Sequence, residues 1–410
     1  MEPIRILHFA DAHVGVENYG RLDAETGLHT RLQDFANSLT FMVDTALARG
    51  VDAVLFAGDA YKHSAPTPTH EGKFAEQMKR FADAGIPVVM VTGNHDIPAA
   101  FGRASSLGIF ETLGGKQAFY VAERPELLRI ETTRGAAQIA CFPWPTRHIL
   151  LTKDEYKHLN DEQITRAIQE KCERRLEKFA RDLDPALPSV LLAHLAAADA
   201  VYSGSERSTI IGSDPVIVRS ILRNPAFDYV ALGHIHRHQN LNPHGQPPVV
   251  YSGSIERIDF GEAREEKGFC LVSLQKGATA YEFVPTPARP FVKIEVDARE
   301  QEFPTDAIVK AIAAHQTADA VVRVLYLLND AQKKLVDMPL IYAALKDAFL
   351  VAGVTGRSEE AHSQRPRIPE GLSLQDAFAK YVEFMPDCQD KKAALLEYAG
   401  RLFQELDAQE

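Results

Sequence analysis

Five short segments of this 410-residue chain share one grammar: an apolar run passes directly into side chains able to hold a metal ion. They are Phe9-Ala10-Asp11-Ala12-His13, Ala57-Gly58-Asp59, Thr92-Gly93-Asn94-His95-Asp96, Leu192-Ala193-His194 and Leu232-Gly233-His234-Ile235-His236. In layered α/β folds ligands sit beyond the carboxyl ends of strands, so scattered segments of this kind are expected to meet at one edge. One of them alone means little. A lone buried histidine is more often a satisfied core residue, and an Asp after Gly is usually a turn residue. Five with the same order are another matter.

Spacing within the segments adds to the case. Asp11 and His13 are two apart, as are His234 and His236, so on extended backbone both members of a pair face the same way. Gly58, Gly93 and Gly233 precede the donors and permit tight backbone where a strand turns into the site. The expected ligands are therefore Asp11, His13, Asp59, Asn94, His194, His234 and His236. Oxygen and imidazole donors suit divalent Mn²⁺, Fe²⁺ or Zn²⁺. A carboxylate bridges two cations better than an imidazole does, and Asp59 is the candidate bridge. Two metals about 3.5–4 Å apart activate water for in-line attack on phosphorus. His95, beside Asn94, is expected to stabilise the developing charge or protonate the leaving oxygen, with Asp96 orienting its ring. His8, His29, His63, His70, His148, His158, His238 and His244 read individually as ordinary core or surface histidines. Of these only His63, close behind Asp59, is kept as a candidate substrate contact.

Around these segments short β-rich runs alternate with helical patterns. Strands are expected at Ile4–Ala10, Val51–Ala57, Val88–Val91, Gln138–Phe142, Ser189–Ala193, Asp228–Leu232, Val249–Ser252 and Gly268–Leu274. Leu32, Phe35, Leu39, Val43 and Ala46 share one helical face, and Phe74, Met78 and Phe81 another. The fold class is layered α/β. A helical stretch over 153–182 balances Lys/Arg against Asp/Glu and reads as a solvated face. Three prolines in Val284-Pro285-Thr286-Pro287-Ala288-Arg289-Pro290 mark a boundary. The expected domains are 1–285 (catalytic), 286–360 (a small βαβα unit with its second helix over Ala331–Phe349) and 361–410 (two amphipathic helices). The last pair, with Asp387 as a cap between them, either docks on the chain itself or binds a partner.

Bulk properties narrow the class. Hydrophobic residues make up 45% and charged residues 25% of the chain, enough apolar surface for a buried core. The apolar runs are strand-sized, far short of the roughly 20 residues that span a bilayer. The N-terminus lacks a signal-peptide pattern, so a cytoplasmic protein is expected. Cys141, Cys172, Cys270 and Cys388 have no paired spacing, against a disulfide framework or a thiolate metal site. A formal net charge of −11 argues against a uniformly basic nucleic-acid coat, although a metal centre supplies local positive charge.

Taken in order, the five segments resemble the motifs of the calcineurin-like metallophosphoesterases, over roughly residues 1–260. The nearer resemblance is to the SbcD branch of DNA-repair nuclease subunits. It rests on Tyr251-Ser252-Gly253-Ser254-Ile255-Glu256-Arg257-Ile258-Asp259-Phe260-Gly261-Glu262, and on Arg289-Pro290-Phe291-Val292 opening a cap-like domain. The resemblance implies a two-sheet core flanked by helices, a small α/β capping domain and C-terminal helices. It implies one metal on Asp11, His13, Asp59 and His236, and a second on Asp59, Asn94, His194 and His234. Manganese is the expected metal, with Fe²⁺, Zn²⁺ and Mg²⁺ as alternatives. It further implies 3′–5′ exonuclease and endonuclease action on DNA, a homodimer, and an SMC-like coiled-coil ATPase partner docked on residues 372–408. Some relatives carry a histidine three residues past the Gly-Asp motif; here Lys62 stands there and His63 follows. The competing readings are a phosphodiesterase or phosphatase for a small molecule on the same metal core, and a non-catalytic scaffold for the ATPase. The intact donor set speaks against the scaffold.

Overall fold

The computed structural model describes residues 2–98, 103–114, 118–146, 159–204, 215–358, 374–383 and 392–407. The strands β1 (Ile4–Phe9), β2 (Ala53–Phe56), β3 (Val88–Val91) and β4 (Phe119–Ala122) lie parallel, side by side. Helices α1 (Thr30–Ala48), α2 (Pro68–Asp83) and α3 (Gly108–Gly114) connect them in turn. A hairpin of β5 (Glu126–Thr132) and β6 (Gly135–Phe142) starts a second sheet, followed by α4 (Asp161–Asp182) and β7 (Ser189–His194). A two-stranded ribbon, β8 (Ala196–Ala197) with β9 (Val216–Ile217), and α5 (Arg219–Leu222) lead into β10 (Tyr229–Gly233), β11 (Gln239–Asn240) and β12 (Val249–Tyr251). The chain then returns to the first sheet through β13 (Gly268–Leu274) and β14 (Ala280–Pro285), both antiparallel to their neighbours.

Two six-stranded sheets result, in the orders β14-β13-β1-β2-β3-β4 and β11-β12-β10-β7-β6-β5. Their inner faces pack on each other: Ile6, Leu55 and Val89 of the first meet Ile139, Val190 and Ala231 of the second. The outer face of the first sheet, with Leu7, Phe9, Val54 and Phe56, lies under the apolar stripes of α1 and α2. Ala140, Leu191 and Leu232 on the outer face of the second meet Leu176 and Phe179 of α4. Central strands buried on both faces are apolar at every position, as the sequences of β2 (AVLF) and β3 (VVMV) show. The layered α/β expectation is therefore met, as two sheets between helices. Strands β5 and β14 were not legible because charged and half-exposed residues interrupt their apolar pattern.

The segment Tyr251–Glu262 is held to α1 by a buried charge network. Arg31, fully buried, donates to Asp34 at 2.6 Å and to the Arg257 carbonyl at 2.5 Å, and lies 3.6 Å from Glu256. Ser38 Oγ donates to Glu256, and the Arg289 guanidinium donates to both Asp34 oxygens.

The chain forms two compact units: Met1–Lys293 with Ala318–Val322 and Ala348–Ala352, and Ile294–Thr317 with Arg323–Asp347 and Gly353–Glu410. Past β14 a three-stranded sheet orders β15 (Phe291–Asp297), β16 (Val321–Leu328) and β17 (Leu350–Ser358), accompanied by α6 (Pro304–Ala313). The single helix expected over Ala331–Phe349 does not form. Asp330–Leu335 is a 3₁₀ turn capped by Asn329, α7 (Met338–Ala344) is a separate helix capped by Asp337, and β17 follows. Pro339, in the first turn of α7, has no N–H to give and would clash in the interior of a longer helix. At the C-terminus α8 (Leu374–Glu383) and α9 (Lys392–Asp407) bring Phe378 and Phe403 within 6.3 Å, with Val382 and Ala399 buried. Tyr381, Tyr398 and Leu402 stay exposed. The proposed Asp387 cap and Cys388 lie outside the described residues, as do His148 and His158. Among the described residues no helix is long and apolar enough to cross a membrane.

Candidate metal centre

All seven expected donors lie at the carboxyl ends of β1, β2, β3, β7 and β10, as the strand-then-ligand grammar predicts. Four of the seven are not on extended backbone, which corrects the expectation for the Asp11/His13 and His234/His236 pairs. Seven described non-glycine residues have positive φ, and four of them are Asp11 (50°), His13 (42°), Asp59 (62°) and His234 (98°). Such conformations cost about 1–3 kcal/mol each and persist only where the surroundings over-determine them. Here neighbouring loops do so: Asp11 N–H donates to the Gly58 carbonyl (3.0 Å) and His13 N–H to the Asp59 carbonyl (3.1 Å). His234 N–H donates to both carboxylate oxygens of Asp11, at 3.0 and 3.1 Å. Gly93 is required for a different reason. A Cβ there would stand 2.1 Å from Asp59 Oδ1.

The donor atoms converge in two groups. Nε2 of His13 and Nε2 of His236 are 3.0 Å apart, and Asp11 completes their cluster. Asn94 Oδ1 lies 3.0 Å from His194 Nε2 and 3.2 Å from His234 Nδ1. Two donors each about 2.0–2.2 Å from one cation at a right angle stand roughly 3 Å apart, so these separations fit residues that would hold a cation in common. Asp59 Oδ2 belongs to both groups, 3.7 Å from His13 Nε2 and 3.4 Å from His194 Nε2.

Two of the rings, those of His194 and His236, are aimed by a second contact, which fixes the nitrogen left for a cation. His194 Nδ1–H donates to the Ala57 carbonyl (2.7 Å), leaving Nε2 for the site. His236 Nδ1–H donates to Glu262 (2.8 Å), whose other oxygen accepts from Lys267 and from the Ile258 N–H. Lys267 also donates to the His236 carbonyl. Glu262 and Lys267 are both buried. Sequence reasoning did not place Glu262 in the site, because it stands 26 residues beyond its partner and on a different element. Trp144 was also missed: its indole lies 4.7 Å from the His234 ring and 5.8 Å from that of His194.

His95 lies at the edge of the centre. Its N–H donates to Asp59 Oδ1 (2.8 Å), and its Nδ1–H donates to the Lys62 carbonyl (2.7 Å), which presents Nε2. Asp96 does not orient that ring, a correction. Its buried carboxylate accepts from the backbone N–H groups of Asp59 (2.8 Å), Ala60 (3.0 Å) and Gly93 (2.9 Å), so it pins the two loops that carry Asp59 and Asn94. The His95 ring is oriented by the Lys62 carbonyl instead. His63 is exposed on the loop after Asp59.

Electrostatics follow from burial among like neighbours. Desolvation, reinforced by the imidazole of a neighbour, lowers His13 and takes His234 down to about 3, so both are neutral and competent to ligate. Burial lowers His194 too, but the Asp59 charge outweighs it and carries His194 up to about 9. Asp59 is itself held well below the usual carboxylate range by His194, His95 and His13, against the cost of burial. Burial raises Asp11 to about 7 despite His194 and His236. Carboxylates and imidazoles buried this close together are costly by themselves and suited to divalent cations. The donors fit that group.

Comparison with protein families agrees with this chemistry. The family described as calcineurin-like phosphoesterase matches residues 4–238. A curated relative, the SbcD component of the nuclease SbcCD of Bacillus subtilis (strain 168), is 27% identical over 297 residues, covering 71% of this chain and 72% of that protein. A solved structure, a dimetal phosphatase from Danio rerio, superposes with a TM-score of 0.43 at 10% identity, covering 69% of this chain and 97% of that one.

Proposed function

The chain belongs to the calcineurin-like phosphoesterase family, and from that premise we propose that it hydrolyses phosphodiester bonds of DNA as the nuclease subunit of an SbcCD-type repair complex. The observation that carries the reading is the position of Asp59 Oδ2 between two donor sets, 3.7 Å from His13 Nε2 and 3.4 Å from His194 Nε2. On this proposal Asp11, His13, Asp59 and His236 hold one divalent cation, and Asp59, Asn94, His194 and His234 the other. Manganese is the metal proposed. When bound, such a pair supplies Lewis-acid charge to the phosphoryl group and lowers the pKa of the attacking water.

The chain's own residues do the rest. With both ring nitrogens protonated, His95 would offer its Nε2–H to the departing oxygen as proton donor, or to the charged phosphoryl group, while its Nδ1–H stays on Lys62. Asp96 acts as a positioning residue through the loops it binds. His63, exposed beside Lys62, is proposed as a substrate contact. DNA as substrate is supported by the similarity to the nuclease component of Bacillus subtilis and by the Tyr251–Glu262 segment. Residues 1–285 would be the nuclease domain, 286–360 the cap, and 361–410 the contact for an SMC-like coiled-coil ATPase, in a cytoplasmic homodimer.

The net charge of −11 favours a second reading, a small phosphoester on the same centre. Digestion of end-labelled DNA with Mn²⁺, beside a small phosphodiester, separates the two. We expect DNA to be degraded by the wild type and not by Asp59→Asn. Hydrolysis of the small ester with every DNA substrate intact would select the second reading. Deleting residues 372–410 is expected to abolish association with the ATPase and leave the manganese content unchanged.

A further inference from the structure

Beside the metal centre, residues 143–146 after β6 and one face of α4 line a cleft of about 900 Å³. Its floor is apolar, with Phe142, Trp144, Ile168 and Cys172. Its rim carries Arg103, Arg124, Lys171, Arg174, Arg175 and Lys178 against one lining carboxylate, Glu123, itself bonded to Ser105. The four cations of α4 follow the offsets i, i+3, i+4 and i+7, one stripe of the helix. Glu170, Glu173 and Glu177 fall on the adjacent stripe. The even balance of charge along this helix thus conceals a segregation of sign, with the basic side turned to the cleft. In a chain of net charge −11 that concentration calls for an anionic occupant.

Some of the rim is tied down: Arg174 lies 3.8 Å from Glu170, Arg175 donates to the Pro125 carbonyl and Lys178 pairs with Asp182 at 2.5 Å. Arg103, Arg124 and Lys171 make no ion pair among the described residues. The cleft borders the centre at Thr92 and Trp144, which both line it. Trp144 is anchored there by its backbone N–H on the Thr92 carbonyl (2.8 Å), with its ring 4.7 Å from His234.

We infer that this cleft receives a single strand of DNA, with an unpaired base against Trp144 and phosphates along Arg124 and the α4 stripe, and so delivers a phosphodiester to the centre. The inference rests on the nuclease reading above. An apolar, aromatic floor rewards bases that are free to stack, and a duplex hides them. The stripe from Lys171 to Lys178 spans roughly 10 Å at the helical rise per residue. That matches about three phosphates of a stacked strand, at 3.4 Å per charge. A small phosphoester would reach only part of this rim.

Trp144 is the only tryptophan of the chain and reports on its own cleft. The test titrates the full chain, metal-free to prevent cleavage, with a short oligothymidylate and follows tryptophan emission. Anisotropy of a labelled oligonucleotide serves variants that lack the indole. We expect saturable quenching for the wild type and weaker binding for Trp144→Ala. Arg124→Glu with Lys171→Glu should weaken binding at least about 10-fold and flatten the salt dependence by roughly 1.4 log units per log unit, twice the value for one phosphate of a single strand. Lys79→Glu, on α2, should change neither. An unchanged unfolding midpoint separates lost binding from lost fold. DNA that binds and is cut, with no quenching and no loss on charge reversal, would place the strand elsewhere and overturn the inference while sparing the nuclease reading. Equal quenching by a blunt duplex or by polyglutamate would overturn it too. A protein that binds no DNA yet hydrolyses the small ester would remove the nuclease reading itself.

Discussion

His95 and Glu262 both touch the metal centre, and they are expected to fail differently. His95 holds no cation on the proposal above, so His95→Ala should keep its metal and lose turnover by about 10²–10⁴-fold, the range of general acid catalysis. Metal analysis beside kcat decides this; loss of bound metal would make His95 a ligand, which its place beside His13 and Asp59 permits. Glu262 acts through His236. Glu262→Gln keeps an acceptor for the ring but removes the charge that Lys267 pairs with, and metal affinity should fall about 10–100-fold. An isothermal titration with Mn²⁺ returning wild-type affinity would refute that role. Gly93→Ala should also lose metal, because the new Cβ and Asp59 Oδ1 cannot share one place.

At the scale of elements, the link between α1 and the Tyr251–Glu262 segment is the place to test stability. Removing one partner of a buried charge network leaves the other uncompensated, at about 3–5 kcal/mol. Arg31→Ala and Glu256→Ala should each lower the denaturant midpoint accordingly, and the double variant by less than the sum. Elements and donors differ in how far the sequence disclosed them. The donors were legible because each ends an apolar strand, and the buried strands because nothing polar interrupts them. Edge strands β5 and β14 were not, since one face meets water. The left-handed backbone of Asp11 and His13 was invisible too, for it is imposed by hydrogen bonds that their N–H groups donate to carbonyls of the Asp59 loop. Neither Glu262 nor Trp144 follows a ligand-like pattern, so only the fold could bring them to the centre. The cation stripe of α4 was present in the sequence as spacing, but which face it turned inward depended on Ile168 and Cys172 packing below it.

For the whole molecule, the centre should stabilise the fold that builds it. A ligand that binds only the native state adds about 2.7 kcal/mol at 100 times its dissociation constant. Withdrawal of Mn²⁺ with a chelator is therefore expected to lower the melting temperature, and Asp59→Asn should melt like the chelated wild type whether or not Mn²⁺ is added. If metal leaves the melting temperature of the wild type unmoved, the donors do not hold it in solution.

The return of β13 to the first sheet carries a consequence for how the protein is made. β13 pairs along one side of β1, from Ile4 with Leu274 to His8 with Cys270, so that side stays open until almost all of residues 1–274 have left the ribosome. His13 and His236 likewise meet across 223 positions. During synthesis the apolar strands β1, β2 and β3 wait as an unfinished sheet, the kind of exposed edge that invites aggregation. Nascent chains released before Gly268 should therefore engage chaperones and hold no metal, and competence should arise abruptly once β13 has emerged.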